Sequence, residues 1–345
     1  MKIFRIPVLI CTVVLCSSWG FFAHRQINNH AVFSLPKGMI RFYKSNIDFV
    51  TAHAVDPDKR RYVDTMEAPR HFLDVDRYGI NPFDHIPEKW KAAVAKYSEN
   101  TLKKNGIVPW QIEKSYYALV KAFQARDSLR ILRLSADIGH YIADAHVPLH
   151  TTENYNGQLT NQVGIHGLWE SRLPELFADQ YDHIVGKVKY IKDPLREAWK
   201  IIRHTFHYKD SVLMIEANLS KQFPADKKCS FSKRKGKLVR NYSRAYCRAY
   251  HAALNGMVER QMRASILAVA SFWYSAWVDA GQPNLANFSS GVASDQERKH
   301  AEKEEQCYKK GRIIWSGGGT LRYTPSLSVV ILNATGRVGV ENDIK

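Results

Sequence analysis

Two histidine–carboxylate pairs carry the clearest chemical signal in the sequence. His140 precedes Asp144 by four residues, and His166 precedes Glu170 by the same step. Residues four apart lie on one face of an α-helix, so the imidazole and the carboxylate of each pair can reach the same ion. Imidazole nitrogen and carboxylate oxygen are both zinc ligands, with bonds of about 2.0–2.2 Å. Each pair therefore predicts a place where zinc could bind.

One such pair on its own usually indicates two neighbours on a helix surface. Here His150 lies between the two pairs, just after a proline that ends the predicted helix. Upstream of both pairs the sequence adds further residues with nitrogen and oxygen donors: Trp19, His24, Asp56, His71 and Asp74. Together these side chains offer enough ligands for more than one metal ion.

This arrangement resembles the superfamily of secreted trinuclear zinc phosphodiesterases, which includes bacterial zinc-dependent phospholipase C and the single-strand-specific zinc nucleases of fungi and plants. The resemblance runs from Trp19 to about Asp279. It implies three zinc ions per chain, with nitrogen and oxygen ligands as in catalytic zinc sites.

The resemblance also implies a ligand set for each zinc ion. The first set comprises Asp56, His71, His140 and Asp144. The second set comprises the free amine and carbonyl of Trp19, His24 and the other oxygen of Asp144. The third set comprises His150, His166 and Glu170.

Phosphodiester hydrolysis is the reaction that such a centre favours. Two zinc ions bridged by Asp144 would lower the pKa of a shared water towards neutrality and so supply a hydroxide nucleophile. The positive charge of the zinc ions would also stabilise the transition state, in which negative charge increases on the phosphate oxygens. The resemblance implies that Asp56 orients the attacking water as well as binding metal. We therefore expect Asp56 and Asp144 to be catalytic.

The spacings leave the substrate open between single-stranded nucleic acid and phospholipid. The short step from Trp19 to His24 resembles the nuclease branch. Glu170 as the last ligand, and the short connection from His150 to His166, resemble the phospholipase C branch instead. The nuclease-like activity is the first expectation, and a phospholipase C acting on glycerophospholipids is its alternative.

Two further residues are candidates for substrate binding. Asp74 matches a position that meets a nucleobase in the nucleases, and Lys59 could meet a substrate phosphate. A capping carboxylate and a solvated lysine are the structural alternatives for them. A more distant possibility for the whole chain is a non-catalytic surface protein that binds zinc and nucleic acid.

The elements that would carry these residues are predicted to be helices. Apolar residues recur at steps of three and four in Trp110–Phe123, Leu129–Ala145 and Ala249–Val278, whereas strand-like alternation is scarce. The basic stretch Lys227–Lys237 is predicted to be a loop or a connection between helices. The predicted fold is therefore all-α with one mostly helical domain, and the resemblance implies that this domain is of the phospholipase C and zinc nuclease type.

The N-terminus predicts export. Lys2 and Arg5 precede the apolar run Ile6–Leu15, and small residues follow it, as in a secretory signal peptide. Cleavage before Trp19 would leave that residue first, in a secreted or periplasmic protein. Lipidation at Cys16 is an alternative that would block the Trp19 amine. No later stretch has the roughly 20 apolar residues that a membrane helix needs, so no membrane span is predicted.

Composition and charge exclude several classes of protein. The chain has 345 residues, with 50 Lys and Arg against 33 Asp and Glu, a formal charge of +17. With 45% hydrophobic residues and only 19 Gly and 13 Pro, a chain of this length is not a disordered tail, a collagen-like repeat or a small disulfide scaffold. The positive charge favours partners that carry phosphate, without implying an obligate protein partner. Cys229 and Cys247 could pair in an oxidising compartment, and the spacing leaves this open.

The predicted organisation has three parts. Residues 1–18 form the signal peptide, 19–285 the zinc-dependent phosphodiesterase domain, and 286–345 an extension of unknown role.

Overall fold

The computed structural model describes residues 20–234 and 237–288, and helices make up most of this part of the chain. The prediction of an all-α fold with one mostly helical domain is confirmed. The helices are α1 (Gly20–Phe33), α2 (Lys37–Ser45), α3 (Ile47–Ala52), α4 (Asp56–Arg60), α5 (Pro82–His85), α6 (Trp90–Tyr97), α7 (Glu99–Asn105), α8 (Val108–Gln124), α9 (Ser128–Ala145), α10 (Leu173–Phe177), α11 (Pro194–Phe206), α12 (Lys209–Gln222), α13 (Ala225–Lys228), α14 (Arg244–Ala253) and α15 (Met257–Asp279).

Short elements complete this part of the chain. Strands β1 (Cys229–Arg234) and β2 (Lys237–Tyr242) pair antiparallel as a hairpin. The 3₁₀ turns Ala68–His71 and Pro148–Thr151 and the π-helical turn Gly167–Arg172 carry functional candidates.

Local sequence signals set the start of the central helices. The Asp127 carboxylate accepts a hydrogen bond from the Arg130 backbone N–H at 3.0 Å and so caps α9. Pro109 stands in the first turn of α8, where the missing N–H costs nothing. These signals fix the starts of α8 and α9, two helices that pack against each other.

Helix α15 packs on this pair and on α1. The Trp273 indole N–H donates to the Ser135 carbonyl oxygen at 3.0 Å, and its ring stacks on Tyr43 with centroids 4.9 Å apart. Both rings are fully buried. Burying two such large aromatic surfaces where α2, α9 and α15 meet holds α9 in place, and α9 carries two of the predicted zinc ligands.

Gly139 allows α1 and α9 to approach closely. A Cβ at this position would lie 2.1 Å from the Asn28 side-chain oxygen, which is closer than any real contact. The Asn28 amide in turn donates to the Ala136 carbonyl oxygen at 3.2 Å and so ties the two helices together. As a consequence, the rings of His24 on α1 and His140 on α9 stack with centroids 3.9 Å apart.

Two predictions about elements are wrong in detail. The segment Ala249–Val278 is divided between α14 and α15, because Asn255 and Gly256 take left-handed backbone conformations with φ of 47° and 72°. Most of the stretch Lys227–Lys237 forms strand β1 rather than a loop or a helical connection. The many basic residues of this stretch hide its strand character, which depends on pairing with β2.

Other predictions lie outside the described residues: the signal peptide, Trp19, Cys16 and the C-terminal extension beyond residue 288. Within 20–234 and 237–288, no helix is long and apolar enough to cross a membrane. The side chains of Cys229 and Cys247 are separate thiols.

Candidate metal centre

The predicted ligands come from elements that are far apart in sequence and meet at one place. They lie on α1 (His24), on α9 (His140 and Asp144), at the turns Ala68–His71 (His71) and Pro148–Thr151 (His150), and at the π-helical turn (His166 and Glu170). Overlapping groups of these side chains have their ligand atoms within 4.8 Å of one another. The first group is His71, His140 and Asp144; the second is His24, Asp144 and Glu170; the third is His150, His166 and Glu170; a further group, His24, Asp58 and His140, overlaps the first two.

The first group surrounds one oxygen of Asp144. Oδ2 of this carboxylate lies 2.9 Å from His71 Nδ1 and 3.2 Å from His140 Nε2. The two histidine nitrogens are themselves 3.0 Å apart. All three side chains are buried, with at most 1% exposure. Their donor atoms therefore converge on a single buried point.

The second group uses the other oxygen of Asp144. His24 Nε2 lies 3.4 Å from Asp144 Oδ1 and 3.5 Å from Glu170 Oε1. Gly20, the first residue of α1, stands directly against Glu170, since a Cβ there would lie 3.1 Å from Glu170 Oε1. The start of α1 therefore lies beside this group.

The third group surrounds the other oxygen of Glu170. Oε2 lies 2.6 Å from His166 Nε2 and 3.3 Å from His150 Nε2. Glu170 lies within the π-helical turn, and His166 directly precedes that turn. Single π-helical turns recur at functional sites because they reorient side chains within a helix. Asp144 and Glu170 thus each place one oxygen in the second group and one in a neighbouring group.

Backbone carbonyl groups fix the tautomers of three of these histidines. Nδ1 of His140 donates to the Ala54 oxygen at 2.8 Å, and Nδ1 of His150 donates to the His71 oxygen at 2.6 Å. His166 Nδ1 donates to the Tyr155 oxygen at 3.2 Å. A carbonyl oxygen can only accept, so the proton of each neutral ring is on Nδ1 and the lone pair is on Nε2.

These lone pairs face carboxylate oxygens, and that contact is repulsive unless a cation intervenes. Burial opposes the charged form of His140, but Asp144 and Asp58 outweigh burial and raise the pKa of His140 to about 9. Burial opposes the charged form of Glu170 as well, yet His166 and His150 hold the pKa of Glu170 well below its usual range. The centre therefore requires positive charge, from protons or from a metal ion.

Asp58, rather than the predicted Asp56, joins the histidines. Asp58 Oδ1 lies 3.8 Å from His140 Nε2 and 3.9 Å from His71 Nδ1. Residues two apart on a helical turn point in directions about 200° apart, so only one of the two acids on α4 can face the centre.

Asp56 faces elsewhere. Its carboxylate lies 2.5 Å from His53 Nδ1 and accepts from the Lys59 ammonium at 3.2 Å. The predicted roles of Asp56 as metal ligand and water-orienting residue therefore do not match its position. Lys59, the predicted phosphate contact, is 17% exposed and lies against Asp56.

Asp74, the other predicted substrate contact, is 5% exposed. Its backbone N–H donates to the Asn105 oxygen at 2.7 Å. Burial raises the pKa of Tyr78 to about 12, and the nearby Asp74 carboxylate adds to that rise. Asp74 does not belong to any of the metal-binding groups found among residues 20–234 and 237–288.

Glu67 is a buried acid behind the first group that the spacing analysis missed. Glu67 Oε1 lies 3.7 Å from His71 Nε2, the nitrogen that points away from the centre. The Tyr141 hydroxyl and the Arg70 guanidinium donate to the same carboxylate. The signal was present, because Glu67 precedes His71 by the same four-residue step that identified the other pairs. A carboxylate behind a ligating histidine orients the ring and strengthens the ligand.

The donor set fits a divalent metal with nitrogen and oxygen ligands. The groups contain only imidazole and carboxylate, are buried except for the partly exposed Asp58, and need positive charge to separate atoms that otherwise repel. Several buried His, Asp and Glu groups of this chain could therefore hold a metal ion. The chain matches none of the protein-family profiles and none of the curated proteins with which it was compared.

Proposed function

We propose that this protein is a zinc-dependent hydrolase that cleaves phosphodiester bonds, with single-stranded nucleic acid as its substrate. The observation that carries the proposal is the pair of shared carboxylates. Asp144 and Glu170 each face two neighbouring groups, so ions held there would be separated by only a carboxylate. Closely spaced metal ions are the arrangement that phosphoryl-transfer hydrolases use to hold the attacking and leaving oxygens.

Different side chains of this protein would bind each of the three ions. Asp144 and His71, with His140 and Asp58 beside them, would hold one ion; His24 and the second oxygen of Asp144 would contribute to another. His150, His166 and Glu170 would hold a third. Zinc bound there would lower the pKa of a water and attract the oxygens of a phosphodiester.

The protein's own groups keep this centre in shape. The Ala54, His71 and Tyr155 carbonyl oxygens hold three imidazole rings in one tautomer, and Glu67 faces the outer nitrogen of His71. Because the rings are ordered before the substrate binds, the entropy cost of ordering them does not add to the activation free energy of the reaction.

The start of α1 is relevant to the second ion. Gly20 stands against Glu170. Cleavage of an N-terminal signal before Trp19 would place a new amino group one residue ahead of Gly20 in sequence. The proposal therefore includes export to a secreted or periplasmic location and an N-terminal amine as an additional ligand.

Nucleic acid as the substrate is supported by the formal charge of +17, since phosphate contacts dominate the binding of nucleic acids. A zinc-dependent phospholipase C acting on glycerophospholipids is the second candidate. One observation favours it: Asp74, the residue expected to meet a nucleobase, is 5% exposed. A carboxylate enclosed to that degree is a poor partner for an incoming base.

The experiment is a paired turnover assay on the mature protein, with bound zinc counted by elemental analysis. One reaction contains a single-stranded oligonucleotide and the other contains phosphatidylcholine vesicles. Each is repeated with a chelator and after zinc is restored.

Chelator-sensitive cleavage of the oligonucleotide supports the proposal, and cleavage of lipid alone would replace it with the phospholipase. Bound zinc without turnover of either substrate would favour the non-catalytic binding protein. A chain that binds no zinc would overturn all three assignments.

A further inference from the structure

The β1–β2 hairpin presents a surface that the metal centre does not use. In the register of the hairpin, Phe231 lies opposite Arg240, and Lys233 lies opposite Leu238. Directly opposed residues of an antiparallel pair share a face, as do residues two apart on one strand. These four side chains therefore form one face, which we call the hairpin face, with the apolar pair on one diagonal and the basic pair on the other.

The apolar diagonal of the hairpin face is open to solvent. Phe231 is 66% exposed and Leu238 is 71% exposed. Single exposed apolar side chains are common on protein surfaces, but two neighbours on a face bordered by cations are a feature of binding surfaces. Within the described residues the sheet consists of these two strands alone.

The base of the hairpin is firmly attached to the body. The Lys228 ammonium, just before β1, donates to Glu216 at 3.0 Å and to the Ser220 hydroxyl at 2.6 Å. Tyr242, at the end of β2, stacks on Tyr246 with ring centroids 5.5 Å apart. An isolated two-stranded hairpin is marginal in water, so these contacts help to hold the two strands in place.

The hairpin is also strongly and uniformly basic. From residue 227 to residue 244 the sequence contains no Asp or Glu. The basic residues of this segment are Lys227, Lys228, Lys233, Arg234, Lys235, Lys237, Arg240 and Arg244. Exposed Arg248 follows Arg244 by one helical turn on α14. The complementary partner therefore carries a dense array of negative charge.

We propose that the hairpin face docks on the surface of an anionic phospholipid bilayer. Phe231 and Leu238 enter the boundary between headgroups and acyl chains, while Lys233 and Arg240 pair with lipid phosphates. Exposed apolar side chains beside basic ones are the combination that binds peripherally to such membranes, by burial of apolar area together with attraction to anionic lipid. This inference goes beyond the proposed activity and does not depend on it.

A lipid surface fits the hairpin face better than single-stranded nucleic acid does. Nucleic acid platforms stack bases on aromatic rings along a basic groove. Here Leu238 has no ring to stack, and it is the more exposed of the two apolar side chains. An aliphatic side chain that projects among cations gains most from an apolar phase behind a layer of phosphate.

The hairpin also borders the metal centre. A Cβ at Gly164 would lie 3.6 Å from the Tyr242 hydroxyl oxygen, and Gly164 precedes His166 by two residues. The base of the hairpin thus contacts the loop that carries a side chain of the third metal group.

The test is vesicle co-sedimentation of the full mature chain with its metal bound, at 4 °C and with release of the lipid headgroup measured in the same tubes so that turnover is separated from binding. Vesicles of phosphatidylcholine alone are compared with vesicles that contain phosphatidylglycerol. The variants are the double changes Phe231→Ser with Leu238→Ser, and Lys233→Gln with Arg240→Gln. The matched control is Ile80→Ser with Ile184→Ser, two side chains that are 96% and 82% exposed elsewhere on the surface. Far-ultraviolet circular dichroism verifies the fold of each variant.

We expect tighter binding to the anionic vesicles by at least about tenfold, with that gain lost in both hairpin variants and kept in the control. Equal binding to both vesicle types, or an equal loss in the control, would overturn the proposal. So would unchanged vesicle binding by the hairpin variants. A parallel gel shift with single-stranded DNA identifies the alternative: a loss confined to DNA binding would assign the hairpin face to nucleic acid.

Discussion

Two buried carboxylate clusters in this chain differ in what surrounds the acid. Glu216 on α12 is 1% exposed and accepts from the Gln162 amide at 2.6 Å, the Tyr246 hydroxyl at 2.6 Å and the Lys228 ammonium at 3.0 Å. Each of these groups is a donor in its ordinary protonation state. Asp144 is equally buried, but it faces histidine nitrogens.

The difference distinguishes a structural network from a binding site. The Glu216 cluster satisfies itself, so nothing further is needed for its buried charge. In the Asp144 cluster the proton of His140 is held on the far side of the ring by a carbonyl oxygen, and the lone pair faces the acid. A positive charge, from a proton on the ring or from a metal ion, makes that arrangement favourable. The comparison predicts that changes in the first cluster lower stability, and changes in the second lower metal binding.

The largest effect is expected from Asp144→Asn. An amide cannot supply two anionic oxygens to two ions, so we expect loss of at least two metal ions and a fall in activity of more than about a hundredfold, beyond the 10–100-fold range of changes behind the ligands. Elemental analysis and turnover with a small phosphodiester measure the two losses. Full activity with three zinc ions bound would contradict the assignment.

The next effect separates the two acids of α4. Asp58→Asn removes an oxygen that lies 3.8 Å from His140 Nε2, so we expect weaker metal binding by about 10–100-fold or more. Asp56→Asn is the matched control, since Asp56 faces His53 and Lys59 instead. Competition with a chromogenic chelator gives both affinities. If Asp56→Asn released the metal and Asp58→Asn did not, the sequence prediction would be right and the geometry wrong.

A smaller effect is expected from Glu67→Gln, behind His71. The change keeps the shape of the side chain but removes the negative charge that faces His71 Nε2. We expect metal affinity to fall by about 10–100-fold while zinc at high concentration restores activity. The control is Glu197→Gln, on an exposed ion pair with Lys200. Activity that zinc does not restore would mean that Glu67 acts by another route than His71.

The sequence predicted the parts of the site that local periodicity controls. His140 with Asp144, and His166 with Glu170, are four apart on helical backbone, and in each pair the two side chains meet. The choice between Asp56 and Asp58 depends on how α4 is rotated against α9, which is decided by packing between segments about 80 residues apart. Periodicity within one segment carries no information on that rotation.

The same reasoning explains the hairpin. Lys227–Lys237 has too few apolar residues to indicate a strand alone, and its structure depends on β2 and on the attachment of Lys228 to Glu216. Likewise, the orienting carbonyl oxygens behind the histidines are backbone groups with no signature in the sequence. Residue types predicted the chemistry of the site, and tertiary packing decided which neighbours complete it.

The smallest effect on metal binding, and the sharpest test of the comparison, is expected from Glu216→Ala. Its removal takes away the acceptor to which the buried Tyr246 hydroxyl and Gln162 amide donate. The free energy of unfolding should therefore fall by about 1–3 kcal/mol. The Lys228 ammonium is 25% exposed, so water can solvate it after Glu216 is removed, and the lost ion pair adds little to the fall in stability.

Metal content and chelator sensitivity should stay unchanged in this variant, because no atom of Glu216 faces the histidines. Urea denaturation with elemental analysis of the same samples measures both quantities, and Glu197→Ala on the surface gives the baseline of about 0.5 kcal/mol or less. A loss of zinc at a concentration of urea where the fold is intact would show that the Glu216 cluster supports the metal centre. The two clusters would then form one network that extends through Gln162 and the loop before His166.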